Sequence, residues 1–249
     1  MANIKVQLLN MYSPILNKFY LFSILLLFAA CQNKSKIQLT PGGIDLANVN
    51  VIADGNSYME GYGVKKPSCE ILMKLEPFAS SSSTMVNFAV GGQSTTQMLA
   101  DQSSQVYPAF KPDVVNILLN QEGGNDIYYG KTSNEALANT KAYCRKAKKY
   151  AINNNLELYV IIYSLIPRNQ PSEKGSLNSF NIAMQDYNRL ILADTSGDWD
   201  KIVNLQDTIL FSSYTAGGYH ADQIHPGDKG QAAIAELTKA KVVSLKKRN

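Results

Sequence analysis

Four short runs of β-branched and other apolar residues, each followed by a stretch with helical spacing, constrain this 249-residue chain more than any other feature. The runs are VNVIA at 49–53, TMVNFAV at 84–90, VVNILL at 114–119 and LELYVIIY at 156–163. Continuous runs of this kind, without strict alternation, suit strands covered on both faces. Helical stretches lie between and after them. One runs over 67–75 and opens on Pro67, a residue suited to a helix start. Others cover 95–107, 134–153, 177–192 and 229–245. The third of these five carries Ala136, Leu137, Thr140, Cys144, Ala147 and Ala151 at helical spacing, with Ser133 placed to cap it. Strand–helix alternation predicts a parallel sheet with helices on both sides. There is no internal repeat, and no linker that would split the domain.

The first thirty residues read differently. FYLFSILLLFAA, at 19–30, is apolar but only twelve residues long. A spanning helix needs about 20 apolar residues, whereas the core of a signal peptide is this short. Lys18 precedes the run, Ala29-Ala30-Cys31 ends it, and the chain then turns polar. Cys31 in that setting resembles the lipidation site of bacterial lipoproteins, although Phe28 replaces the usual Leu. An ordinary cleaved signal or an uncleaved anchor are the alternatives. The expected organisation is a signal peptide over 1–30, a lipidated tether over 31–46 and a single domain over 47–249. The expected location is the cell envelope, periplasmic or associated with the outer membrane.

Residues 31–249 carry 22 basic and 20 acidic side chains. That near-balance gives no indication of nucleic-acid binding. The closing Lys246-Lys247-Arg248 reads as a solvated helix end. Cys69 and Cys144 could pair in an exported protein, but each sits in a helical pattern, and two buried thiols is the preferred reading. No zinc-ligand spacing is present.

Four motifs carry chemistry. Ser57 follows the first run, in ADGNSYMEGYG. A serine beyond the carboxyl end of a strand can be exposed, but its hydroxyl needs a neighbouring base. Gly-Asn-Ser is also ordinary turn composition, and Met59 excludes the Gly-x-Ser-x-Gly elbow. Gly92, in NFAVGG after the second run, offers a bare backbone N–H, or simply a tight turn. Ser94 is a rival nucleophile without a partner pattern. Asn125, in GGND after the third run, offers a neutral side-chain donor to a developing oxyanion. The adjacent Asp126 reads as a loop anchor and Glu122 as a loop cap. Asp222 and His225, in DQIHP before the last helix, can act as a base and the acid that orients it. The other histidine, His220, reads as a loop-packing residue.

The four motifs in this order resemble the SGNH hydrolases, also called the GDSL family, from about Val49 to Val243. The resemblance implies a three-layer α/β/α sandwich around a parallel, flavodoxin-like sheet of about five strands. It implies Ser57 as nucleophile, His225 as base and Asp222 as its orienting acid. The oxyanion donors would be the Ser57 and Gly92 backbone N–H groups and the Asn125 side chain. No metal or cofactor is implied. Two positions depart from the family pattern: Asn56 replaces an Asp, and Gln121-Glu122 replace residues that are often apolar. The implied activity is ester hydrolysis through an acyl-serine. The expected substrate is an acetylated glycan or a small-molecule ester, with lipase, lysophospholipase or thioesterase activity as the enzymatic alternative. A catalytically weak, glycan-binding member is the non-enzymatic one.

Overall fold

A computed structural model describes residues 42–169 and 175–248. The expected signal peptide, Cys31 and the start of the tether lie outside the described residues. Five strands form one sheet in the order β2-β1-β3-β4-β5. They are β1 (Val49–Gly55), β2 (Thr84–Asn87), β3 (Val115–Gln121), β4 (Leu158–Tyr163) and β5 (Lys201–Val203). Every pairing is parallel. This is the flavodoxin-like order, and the expected three-layer α/β/α fold is the one observed.

Successive residues of a strand point to opposite faces, and here both faces are buried. Val51, Ala53, Ile117, Leu119, Tyr159, Ile161 and Tyr163 enter one core. There they meet α1 (Ser57–Glu60), α2 (Ser68–Leu72) and α7 (Asp228–Val243) through Met59, Leu72, Ile234 and Val242. Ile52, Leu118, Leu158, Val160 and Ile162 enter the other core. On that side lie α3 (Thr95–Gln105), α5 (Ser133–Asn153) and α6 (Leu177–Ala193), contributing Met98, Tyr143, Ala147, Met184 and Tyr187. A seventh helix, α4 (Gly124–Tyr128), is a single turn directly after β3.

At the amino-terminal end of the sheet, the buried asparagines of β1 and β3 are paired with each other. Asn50 and Asn116 lie side by side in register. Asn50 Nδ2 donates to Asn116 Oδ1 (2.9 Å) and to the Ala109 carbonyl (2.8 Å). Asn116 Oδ1 also accepts from the Lys111 N–H (2.9 Å), so two buried amides close off the amino-terminal end of the sheet.

Several boundaries differ from those predicted by sequence. The regular span of β2 ends at Asn87, whose Oδ1 accepts from the Ala89 N–H (3.1 Å), while backbone bonds to β1 continue through Phe88 and Val90. The cap of α5 is Thr132, not Ser133. Thr132 Oγ1 accepts from the Glu135 N–H (3.2 Å), and Glu135 Oε2 accepts from the Thr132 N–H (2.8 Å), a reciprocal capping box. β5 has only three residues, too short for a periodicity signal. The end of the expected tether is part of the domain: Ile44 and Leu46 are buried in the first core, and Gly43 bridges to Lys246.

Cys69 and Cys144 are free and buried, one in each core on opposite sides of the sheet. Burial pushes both thiols up to about 12, so neither forms a reactive thiolate near neutral pH. In a protein lacking residues 1–31, both thiols should resist a disulfide reagent in the native state and react together after denaturation. Fast labelling of either in the folded protein would show that its core is open.

Candidate active site

The parallel sheet delivers its loops to one edge, where ligands bind in folds of this order. After β1 the chain turns at Asn56, which caps α1: its Oδ1 accepts from the Tyr58 N–H (3.0 Å). Ser57 is therefore the first residue of a helix, with its hydroxyl in the cleft. After β2, the backbone stays tied to β1 as Phe88 N–H donates to Ala53 O (2.9 Å) and Val90 N–H to Gly55 O (3.0 Å). This brings Gly91 against Ser57, such that a side-chain carbon at Gly91 would lie 3.7 Å from Ser57 Cβ and 2.7 Å from Glu60 Oε2. Gly92 has φ +77°, a conformation that favours glycine. Its carbonyl accepts from the Tyr129 hydroxyl (2.9 Å), which fixes the peptide.

After β3, Asn125 sits in α4. Its Nδ2 donates to the Gln93 carbonyl (2.8 Å), next to Gly92. One of its two amide hydrogens is thereby used, and the other remains available. Gly123 precedes it with φ +108°, and a side-chain carbon there would come 2.7 Å from the Tyr187 ring. Asp126 anchors neighbouring elements as expected. Its Oδ2 accepts from Thr95 N (2.9 Å) and Thr95 Oγ1 (2.7 Å), while Oδ1 meets Lys131 Nζ (2.8 Å) and Asn139 Nδ2 (2.9 Å).

His225 arrives from the far end of the chain. Its Nε2 lies 3.0 Å from Ser57 Oγ, and its Nδ1 lies 2.8 Å from Asp222 Oδ2. Asp222 Oδ1 accepts from the Ile224 and His225 backbone N–H groups (3.0 and 3.1 Å). Burial pushes the Asp222 carboxyl up, but the His225 ring N–H and these backbone donors outweigh it and hold it below the usual range. An ionised Asp222 fixes the proton on Nδ1 and leaves Nε2 to accept from serine. The loop is pinned where His220 N–H donates to the His225 carbonyl (2.8 Å). Gln231, fully buried on α7, ties that helix to the Ser57 turn: its Nε2 donates to the Tyr58 carbonyl (2.9 Å) and its Oε1 accepts from the Ser68 N–H (2.9 Å). His220 packs beside Gly63. Ser94 bonds Gln97 Oε1 (3.0 Å) and sits at the start of α3.

The model of the GDSL-like Lipase/Acylhydrolase family matches residues 53–233. The chain belongs to this family. Solved GDSL-type folds are similar to it. One is a lipolytic protein of the G-D-S-L family from Veillonella parvula (19% identity, TM-score 0.59, covering 79% of this chain and 100% of that one). TesA is another (16%, 0.60, 78% and 97%), and a GDSL-like lipase from Bacteroides thetaiotaomicron a third (17%, 0.53, 78% and 87%). At these identities the likeness concerns the fold. No curated protein matches the chain by sequence.

The two departures from the GDSL pattern meet each other. The Asn56 N–H donates to the Gln121 carbonyl (3.3 Å), and Glu122 Oε1 accepts from the Asn125 N–H (3.1 Å). Glu122 is 1% exposed. Burial, and then the Asp126 charge, push its carboxyl well above the usual carboxylate range. Glu122 is thus the loop cap expected from the sequence.

A cavity of about 550 Å³ opens over Ser57 and His225. Sequence reading missed several of its walls. Tyr62 lies over the His225 ring (centroids 4.4 Å apart), and Tyr58 meets it edge-on (5.8 Å). Both fall inside the first motif, at positions one and five after Ser57. Arg168, in the loop after β4, also lines the cavity. Among the described residues, no group of three or more His, Cys, Asp or Glu is arranged to hold a metal ion.

Behind Ser57, Asp54 is buried on β1, bonded by the Tyr143 hydroxyl and the Gly55 N–H. Burial raises its carboxyl from 3.8 to about 6, against those two donors. An unfolded chain loses this proton near 3.8, and the folded one keeps it to about 6. The stability from Asp54 is therefore complete below 3.8 and lost as pH rises through about 6. A shift of this size corresponds to about 3 kcal/mol at most. Asp54→Asn should remove that slope. The wild-type-minus-variant difference from urea unfolding should move against the wild type between pH 4 and pH 7, by about 1–3 kcal/mol. An unchanged difference would mean that Asp54 stays ionised when folded.

Proposed function

We propose that this family member is a serine esterase working through an acyl-serine intermediate. The observation that carries the reading is the unbroken row Ser57 Oγ, His225 Nε2, His225 Nδ1, Asp222 Oδ2, with separations of 3.0 and 2.8 Å, at the floor of a cavity. Ser57 Oγ attacks the ester carbonyl as His225 Nε2 takes its proton. The oxyanion is held by the Ser57 and Gly92 N–H groups and the Asn125 amide. His225 returns the proton to the leaving alcohol, and the acyl group stays on Ser57. Water then attacks, with His225 again as base, and the free acid leaves. Asp222 stabilises the imidazolium in both steps.

The substrate we favour is an acetylated glycan of the cell envelope. Tyr58, Tyr62, Tyr128 and Tyr129 line the cavity and combine flat apolar faces with hydroxyls, a surface suited to sugar rings. A lipid acyl ester is the second reading, favoured by Val90, Leu165, Ile166 and Phe180 in the same lining.

Protein lacking residues 1–31 should release 4-nitrophenol from its acetate ester, and Ser57→Ala should abolish release. Undiminished activity in that variant would end the assignment. Asn125→Ala should lower kcat by roughly 10²–10³ if its amide holds the oxyanion. Acetate release from a panel of acetylated glycans, set beside turnover of octanoyl and longer esters, separates the two substrate readings.

We also propose that Cys31 carries a lipid anchor, on the strength of the apolar run and the Ala29-Ala30-Cys31 end. Cys31→Ser should move the protein from the membrane to the soluble fraction, and continued membrane fractionation would rule lipidation out.

A further inference from the structure

Arg168 is 6% exposed and forms part of the cavity wall. Its guanidinium lies over two aromatic rings, with Cζ 3.7 Å from the Phe180 centroid and 4.7 Å from that of Tyr128. Its hydrogen-bonding edge is another matter. Nε and Nη2 are enclosed and have no acceptor among the described residues. These two nitrogens carry the parallel N–H bonds that grip a carboxylate in a two-point contact. The backbone around the residue is fixed on both sides by Asn181, whose Oδ1 accepts from the Arg168 N–H (3.2 Å) and whose Nδ2 donates to the Arg168 carbonyl (3.1 Å). No salt bridge reaches Arg168 among the described residues. Glu122 is the carboxyl that acts on its charge. Burial holds that carboxyl toward its neutral form.

A buried charge without an ionised partner is strongly unfavourable, and among the described residues Arg168 has none. We propose that the cavity binds esters that themselves carry a carboxylate, with Arg168 as the residue that selects them. The inference rests on the esterase reading above and deepens it. A monoanion fits better than a phosphate, because the wall offers one positive charge and Glu60 lies in the same lining. Glu60 sits at the Gly91 side of the cavity.

The test compares kcat/KM for 4-nitrophenyl acetate, which is neutral, with 4-acetoxybenzoate and mono-4-nitrophenyl succinate. These carry the carboxylate on the alcohol and acyl sides respectively. Acetylthiocholine supplies a cationic ester. The wild type should favour at least one anionic ester, mainly through KM. Arg168→Gln should lower the anionic-to-neutral ratio by roughly 30-fold or more. A ratio unchanged by the substitution, or a preference for the cationic ester, would overturn the proposal. Binding is read separately in Ser57→Ala protein, which does not depend on turnover. Benzoate should raise its thermal midpoint and should fail to do so once Arg168→Gln is added. If benzoate gives no shift in the Ser57→Ala protein, the anion site is absent. If benzoate shifts the midpoint while no ester is cleaved by the wild type, the anion site stands and the esterase reading fails.

Discussion

The pairing of β1 with β3 is the interaction on which the site depends. It runs through seven registered pairs, from Val49 opposite Val115 to Gly55 opposite Gln121. Because the strands are parallel, both release their chains at the same edge. Ser57 and Asn125 emerge there, two residues after Gly55 and four after Gln121. β2 completes the arrangement on the other flank of β1, since its ladder continues past Asn87 through Phe88 and Val90 and carries Gly92 to the same place. A slip of one residue in either pairing would turn every buried side chain to the opposite face. The apolar content of both faces therefore fixes register, and register fixes the spacing of the three groups.

His225 is held by a different device, because no strand ends at it. It is placed by α7, which packs on α2 in the first core, and by Gln231, which reaches from α7 to the backbone of the Ser57 turn. Charge is distributed with similar economy. The surroundings drive the carboxyls of Asp222, Asp54 and Glu122 apart. Asp222 is held toward its ionised form beside His225, which in the proposed reaction becomes cationic. Asp54 and Glu122 are pushed toward the neutral form by burial. A neutral Glu122 matters in the proposed reaction. It accepts from the Asn125 N–H, and a negative charge there would sit beside the amide meant to hold an oxyanion.

Much of this was legible in the sequence because it rests on patterns that repeat. The four long apolar runs gave the sheet, since strands buried on both faces need continuous apolar content. The order of the motifs relative to those runs brought Ser57, Gly92, Asn125 and the Asp222–His225 pair into one group. β5 was not legible: three residues, Lys201–Val203, carry no period. Nor was the inclusion of Ile44 and Leu46 in the core, where two isolated apolar residues in a polar lead-in show nothing until their burial is seen. The bond from the Asn56 N–H to the Gln121 carbonyl is a third case. Each looks like a separate departure, because 65 positions separate them and only the β1–β3 register makes them neighbours.

Arg168 was missed for another reason. Ligands bind beyond the carboxyl ends of parallel strands, and recognisable motifs mark those ends at β1, β2 and β3. The same placement holds for β4, the most apolar strand of the chain, which ends at Tyr163 and delivers Leu165, Ile166 and Arg168 to the same cavity. A single arginine in a loop carries no motif, and by composition alone it reads as a surface charge. Topology changes that reading, because a residue five positions past the end of a central parallel strand is at the site whether or not a motif marks it. Arg168 packs over Phe180 and Tyr128 and is 6% exposed. In the proposed reaction the first three strand ends supply groups that suit any carboxylic ester, and the proposed anion site at the fourth adds a charge that only some esters can answer.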